Sequence, residues 1–327
     1  MKLLVTGGAG FIGSNFVRRT IEDAYPGLAG ADVVVLDALT YSGNLENLAS
    51  VADSARYQFV EGDIRDAELL DTLLVDIDAI VHFAAESHVD RSVRDASAFV
   101  ETNVLGTQRL LDAALRAETP RFVHVSTDEV YGSIEEGSWD ELRPLEPNSP
   151  YSASKAGSDL LARSYFRTHG LNVSITRCSN NYGPYHFPEK LIPLFVTNLI
   201  DGKHVPLYGE GNNIRDWLHV DDHCRGIALV ATGGRAGEIY NIGGGTELTN
   251  KELTQLLLDH TGTDWSSVDR VEDRLGHDLR YSVDISKIRS ELGYEPQVPF
   301  ESGLADVVQW YRDNRQWWEP LKDKAAL

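Results

Sequence analysis

The chain of 327 residues is 42% hydrophobic and 24% charged, enough for a sizeable core and too long for one simple core, so two domains or one large α/β unit are expected. Its 50 acids against 30 bases leave a formal charge of −20, which argues against a nucleic-acid or anionic-membrane surface, because either needs a basic face. Two cysteines, Cys178 and Cys224, are too few for a disulfide framework and read as small buried hydrophobes.

Leu3 to Thr6 is a short apolar run that ends in glycines, and Phe11 to Ala24 follows with helical spacing. Ala31 to Leu36 is continuously apolar, the mark of a strand buried on both faces, and Tyr57 to Val60, Ala79 to Phe83 and Arg121 to Val125 repeat the pattern. Helix-like stretches separate them. The longest spans Ala96 to Ala117, with Val100, Val104, Leu110, Leu111 and Ala114 on one side. Strand alternating with helix predicts a doubly wound parallel sheet of Rossmann type. A second long helix is expected from Tyr151 to His169 and another strand from Asn172 to Arg177.

Beyond that point prolines and glycines punctuate the chain, with helices at Asp221 to Ala231, Lys251 to Thr261, Ile285 to Leu292 and Phe300 to Asn314. The boundary is placed near residue 178: a Rossmann domain over 1–178, and a smaller mixed α/β substrate domain over 179–327 whose segments are free to interleave with the first. The closing KDKAAL reads as a frayed tail. No run reaches the roughly 18 apolar residues of a membrane span. The opening MKLLVTGGAGFIG lacks a cleavage pattern, so a reducing cytoplasm is expected.

Gly7, Gly8, Gly10 and Gly13, with Phe11 and Ile12, lie between the first strand and the first helix. A tight turn there lets backbone approach a pyrophosphate at a helix N-terminus. Asp37 ends the second strand, where an acid accepts both ribose hydroxyls and repels a 2′-phosphate. Ala38, Leu39 and Thr40 offer no cation for that phosphate, so NAD is favoured over NADP. Asp63 and Ile64 follow the third strand, and Phe83, Ala84 and Ala85 the fourth, all at the carboxyl edge where open α/β sheets bind ligands.

Tyr151 and Lys155, at i and i+4, share a helix face, and the ammonium is expected to lower the phenol's pKa towards neutrality, making it a base for a sugar hydroxyl. Ser126 and Thr127 end the fifth strand at the same edge and can hydrogen-bond that hydroxyl. Asp128 and Glu129 follow directly. Oxidation alone does not need two acids. Elimination of water across C5 and C6 does: one carboxylate takes the C5 proton and one carboxylic acid protonates the leaving C6 hydroxyl. Their proximity should push one pKa upward.

GGAGFIG at 7–13, HFAAESHVDRS at 82–92, STDEVYG at 126–132 and YSASK at 151–155 resemble the extended short-chain dehydrogenase/reductase superfamily. Over nearly the whole chain the sequence resembles its dTDP-glucose 4,6-dehydratase family, with Thr127-Asp128-Glu129 as the discriminating run. The resemblance implies Tyr151 as base at the C4 hydroxyl with Thr127 and Lys155 assisting, Asp128 as the acid at C6 and Glu129 as the base at C5. It further implies cofactor contacts from Thr40, Ser87, Thr102 and Asn181, and sugar contacts from Ser87 and Asn180.

The phosphates of a sugar nucleotide need cations, and Arg215 and Arg274, then Lys190, are the candidates. The resemblance places Glu189, Lys190, Leu191, Pro206, Tyr208, Arg215, Asn250, Arg274 and His277 at the nucleotide, with Tyr208 packed on the base or ribose, and implies a homodimer through the helices near 96–117 and 151–169. His219 and His223 imitate a metal pair, but no third ligand has sensible spacing and Asp221 reads as a helix cap. The three tryptophans Trp310, Trp317 and Trp318 read as packing for the terminal helix. The enzymatic alternatives are another NDP-sugar 4,6-dehydratase, or a sugar-nucleotide 4-epimerase or decarboxylase on the same scaffold, and the last two would leave Asp128 and Glu129 without a purpose. A non-catalytic NAD sensor would not require both Tyr151 and Lys155.

Overall fold

The computed structural model describes residues 1–274 and 276–325. Twelve strands are present among them: β1 Lys2–Thr6, β2 Asp32–Asp37, β3 Tyr57–Glu61, β4 Ala79–His82, β5 Phe122–Thr127, β6 Val173–Cys178, β7 Asn180–Tyr182, β8 Val205–Tyr208, β9 Ile214–His219, β10 Ile239–Ile242, β11 Glu247–Thr249 and β12 Val268–Val271. Seven form one parallel sheet in the order β10-β6-β5-β4-β1-β2-β3. The order reverses beside β1, the topological switch point of a Rossmann-type doubly wound sheet.

Alternation along the strands explains the unbroken apolar runs. Leu3 and Val5 face one core with helices Phe11–Ile21 and Val220–Gly233, while Leu4 faces the other with Thr107–Arg116 and Pro150–His169. Both faces of the sheet are thereby covered.

The chain after residue 178 is woven back into this body. Helix Val220–Gly233 packs on the sheet, and β10 pairs with β6 as its edge. The remaining segments build a smaller body, with a three-stranded sheet β11-β9-β7, a pair β12-β8 and a core containing Phe195, Leu257, Val308, Tyr311 and Trp318.

Three expectations need correction. The helix expected over 96–117 opens as a short turn at Ser97–Phe99, widens to a π-helical segment at Val100–Gly106 and becomes regular only at Thr107–Arg116. The widened turn carries Thr102 to the cavity described below and buries Asn103, leaving Val100 52% exposed instead of on the inner side. Asp221 is not the helix cap. The His219 ring accepts from the Asp221 N–H at 3.2 Å, and the Asp221 carboxylate pairs with Arg19 at 2.6 Å. The tail is helical through Ala325, within Arg315–Ala325, and is held where Lys322 donates to Asn198 at 2.8 Å; residues 326–327 lie outside the described residues.

Candidate active site

A cavity of about 640 Å³ opens where the strand ends of the large sheet meet the smaller body. The sheet side contributes Gly7, Gly10, Phe11, Ile12, Gly13, Asp37, Thr40, Asp63, Ile64, Phe83, Ala84, Ala85, Ser87 and Thr102. Thr127, Asp128, Glu129, Tyr151, Lys155, Asn180 and Asn181 also line it, as do Glu189, Lys190, Leu191, Pro206, Tyr208, Arg215, Asn250, Arg274 and His277. The candidate catalytic, cofactor and substrate residues named from the sequence thus line one cavity, whereas Gly8, Leu39, His219, His223 and the three C-terminal tryptophans do not.

The glycine turn is shaped for close backbone approach. Gly7 has φ +69°, and a Cβ there would lie 2.5 Å from the Ala84 nitrogen. A Cβ on Gly13 would lie 2.3 Å from the Gly7 carbonyl oxygen, whereas a Cβ on Gly10 would meet that oxygen only at 3.3 Å. The first N–H groups of helix Phe11–Ile21 therefore face a cradle that side chains would fill. Asp37 accepts from the N–H groups of Ala9 and Leu39, both at 2.9 Å, and keeps further lone pairs at the cavity wall. Burial raises its pKa, and the two amides oppose the rise. These features fit a dinucleotide with a free 2′-hydroxyl.

Sequence reasoning missed Arg65, which donates to Asp63 at 2.7 Å and reaches Glu101 at 2.9 Å, so the Asp63 carboxylate is already engaged. It also missed Asn103, which accepts from the Glu86 N–H at 2.9 Å and donates to the Glu86 carbonyl at 3.0 Å and the Ser154 hydroxyl at 2.8 Å. Asn103 thereby ties the loop after β4 to the long helix. No periodic pattern marks such a residue.

The helix Pro150–His169 starts where it does because Ser149 and Ser152 form a reciprocal capping box and Pro150 occupies the first turn; Gly170, at φ +71°, ends it. Tyr151 and Lys155 consequently project together from its first turns. The Lys155 ammonium donates to the Val125 carbonyl at 2.9 Å, and burial pushes its pKa down to about 8. Tyr151 behaves contrary to expectation. Burial, then the charges of Glu129, Cys178 and Asp128, holds the phenol well above its ordinary value, and the Thr127 hydroxyl only partly opposes them. The low-dielectric site and its acids outweigh the ammonium.

β5 is buried along its whole length and ends in a single tight turn, Asp128–Tyr131, capped by Thr127. Asp128 is 2% exposed, and its Oδ2 has no hydrogen-bond partner among the described residues. Burial, then Glu129 and Asp216, pushes its carboxyl well above the ordinary range. Glu129 is half-buried and also raised by burial, but Arg215 and Lys190 pull it back. The neighbours thus receive different protonation tendencies from different surroundings: an acid at Asp128 and, more readily, a carboxylate at Glu129.

Arg215 donates to the carbonyls of Ile214 at 2.8 Å and Asp278 at 3.0 Å and stacks 4.2 Å from the Tyr281 ring centroid. Arg274 lies 4.5 Å over the Tyr208 ring and pairs at 2.9 Å with Asp90, an acid on the cavity wall that sequence reasoning did not single out. Lys190 donates to the Ser87 carbonyl at 2.8 Å, and Glu189 faces Arg91 at 3.5 Å. His277 bonds Asp273 at 2.6 Å. His223 does not form a pair with His219: burial pushes its pKa down to about 3, and its Nδ1 meets the Asn181 side-chain oxygen at 2.9 Å, orienting that amide. Cys178 and Cys224 are free and buried, and Trp318 is fully enclosed.

The family profile described as GDP-mannose 4,6 dehydratase matches residues 4–307. A dTDP-glucose 4,6-dehydratase of Streptomyces niveus is 63% identical over 98% of this chain and 96% of its own. The structure superposes on DesIV, a dTDP-glucose 4,6-dehydratase of Streptomyces venezuelae crystallised with NAD, with a TM-score of 0.97 at 68% identity, covering 98% of this chain and 100% of that one. A UDP-glucose 4-epimerase of Thermotoga maritima has the same architecture, with a TM-score of 0.88 at 32% identity, over 96% of this chain and 100% of its own.

Proposed function

The chain belongs to the dTDP-glucose 4,6-dehydratase family, and from this we propose that it converts dTDP-glucose, with NAD as resident cofactor, into dTDP-4-keto-6-deoxyglucose and water. The glycine turn, Asp37, Ile64, Phe83 to Ala85 and Asn181 would hold the cofactor. NAD, when bound, supplies the hydride acceptor for C4 and the donor that returns hydride to C6. Tyr151, in its deprotonated form, receives the proton of the C4 hydroxyl, with Thr127 and Lys155 assisting; burial makes that phenolate the minor form in the protein alone. Once C4 is a ketone, the C5 proton is acidic, and Glu129 removes it. Asp128 delivers its proton to the C6 hydroxyl as that group departs, and water is lost across C5–C6. Arg215, Arg274 and Lys190 hold the diphosphate, with Tyr208 against the nucleoside.

The observation that carries this reading is the adjacent acid pair, with Asp128 buried, unpartnered at Oδ2 and pushed strongly towards its protonated form. A 4-epimerase would need no such acid. The test is to incubate the purified protein with dTDP-, UDP-, GDP- and CDP-glucose and weigh the products. A product of the dTDP sugar lighter by one water is expected; one of unchanged mass would overturn dehydration in favour of epimerisation.

A homodimer is part of the same reading. Val93, Val100, Leu105 and Leu160 leave apolar side chains exposed on neighbouring helices, which supports pairing there. Light scattering in solution should give twice the 36.2 kDa chain mass; a monomer would refute it. No helix among the described residues is long and apolar enough to cross a membrane. Two free buried cysteines suit a reducing cytoplasm.

A further inference from the structure

The peptide planes on both sides of Ala9, in the middle of the glycine turn, are pinned from outside the turn. Its N–H donates to Asp37 at 2.9 Å. Its carbonyl accepts from the Asn44 N–H at 3.1 Å and from the Asn47 side-chain amide at 2.9 Å. Because the peptide unit is planar, fixing the Ala9 carbonyl also fixes the direction of the Gly10 N–H. Asn47 is itself 2% exposed, and its side-chain oxygen accepts from the Trp317 indole N–H at 2.9 Å. Trp317 belongs to the last helix, 270 residues further along the chain.

A second route joins the same two regions. Tyr311, on helix Phe300–Asp313, donates to the His186 carbonyl at 2.7 Å, and the His186 ring stacks on Phe11 with centroids 4.1 Å apart and planes 12° apart. The terminal tryptophans are thus more than packing for their own helix: Trp310 and Trp317 enclose Tyr185, with centroids 4.6 and 5.4 Å away, directly before His186.

We propose that the two C-terminal helices brace the cofactor turn, and that Asn47 and Trp317 are positioning residues that slow the release of NAD. The inference rests on the NAD reading above and deepens it. A hydride taken from C4 must return to C6 within one cycle, so the cofactor has to outlast the reaction. Trp317 does not line the cavity; it acts through Asn47 on Ala9 and, through the Ala9 N–H, on Asp37.

The test chases bound NAD from the full-length holoenzyme with excess isotope-labelled NAD and follows release directly. Trp317→Phe removes the indole N–H together with the pyrrole ring that carries it and keeps an aromatic ring at the position, so release should quicken by at least about three- to tenfold, the worth of one hydrogen bond. Asn47→Ala removes both bonds and should quicken it further. Because the indole N–H acts through Asn47, the double variant should release NAD far less fast than the product of the two single effects, with at most a small increase over Asn47→Ala from the contact of Trp317 with Tyr185. Sugar-nucleotide affinity at saturating NAD should not change in Trp317→Phe. Effects that multiply in the double variant, or a Trp317→Phe release rate within twofold of the parent, would overturn the brace. If Asn47→Ala does not fold, Trp317→Phe alone decides by that same criterion. A parent protein that retains no NAD at all would sink the cofactor reading and the brace with it.

Discussion

Replacing Asp128 by Asn keeps the shape of the side chain and a hydrogen-bond donor, but removes the transferable proton. Asp128 Oδ2 is buried and has no protein partner among the described residues, so no side chain is hydrogen-bonded to it to relay a proton in its place. General acid catalysis contributes about 10²- to 10⁴-fold, or roughly 3–5 kcal/mol of barrier, and turnover should fall by that factor. Oxidation at C4 precedes the step and should survive. Rapid mixing with dTDP-glucose should therefore show absorbance of reduced cofactor rising and persisting, while product forms slowly. A loss of less than tenfold in turnover, or no accumulated reduced cofactor, would refute the assignment.

The same substitution has a stability signature. Because the folded-state pKa of Asp128 lies well above that of the unfolded chain, folding takes up a proton once the pH exceeds the ordinary value of 3.8. Any stability tied to this group is complete below that value and is lost by about 1.4 kcal/mol per pH unit until the folded pKa is reached. Denaturant melts should thus show Asp128→Asn gaining on the parent as the pH rises above 3.8 towards the raised folded-state value. A difference that does not change with pH would contradict the burial argument.

Glu129→Gln should abolish entry of solvent deuterium at C5 while leaving C4 oxidation intact; exchange at the parental rate would remove Glu129 from that role. Tyr151 is held protonated by burial and by the acids beside it, so the pre-steady-state rate of C4 oxidation should climb with pH across the neutral range. A flat profile would mean that the bound state reverses the field seen in the protein alone. Gly13→Ala would place a Cβ 2.3 Å from the Gly7 carbonyl, which must move. NAD affinity should fall by at least tenfold, about 1.4 kcal/mol, by calorimetric titration; unchanged affinity would detach the turn from cofactor binding.

Much of the sheet was readable because its strands are buried on both faces and leave unbroken apolar runs, as in Val33 to Leu36. The glycine turn and the Tyr151–Lys155 pair were readable because local chain geometry dictates their spacing. What escaped was carried by single polar side chains making distant contacts. The cap of helix Val220–Gly233 went to His219 because Asp221 found Arg19, some 202 residues away. The widening at Val100–Gly106 answers Asn103, whose partners lie on another loop and another helix. The pKa of Tyr151 was misjudged for a similar reason: the sequence shows its neighbour on the helix, Lys155, but not the depth of burial or the convergence of Glu129 and Asp128 on the phenol. The final helix is fixed by Lys322, Trp317 and Trp318, through contacts that no periodicity announces.

The most direct measurement follows a deuterium placed at C4 of dTDP-glucose through one turnover with the purified enzyme. The account predicts a product lighter by one water that carries the label at C6, because the hydride leaves C4 and returns within the same cavity. Label lost to solvent, or label still at C4 in a sugar of unchanged mass, would contradict it.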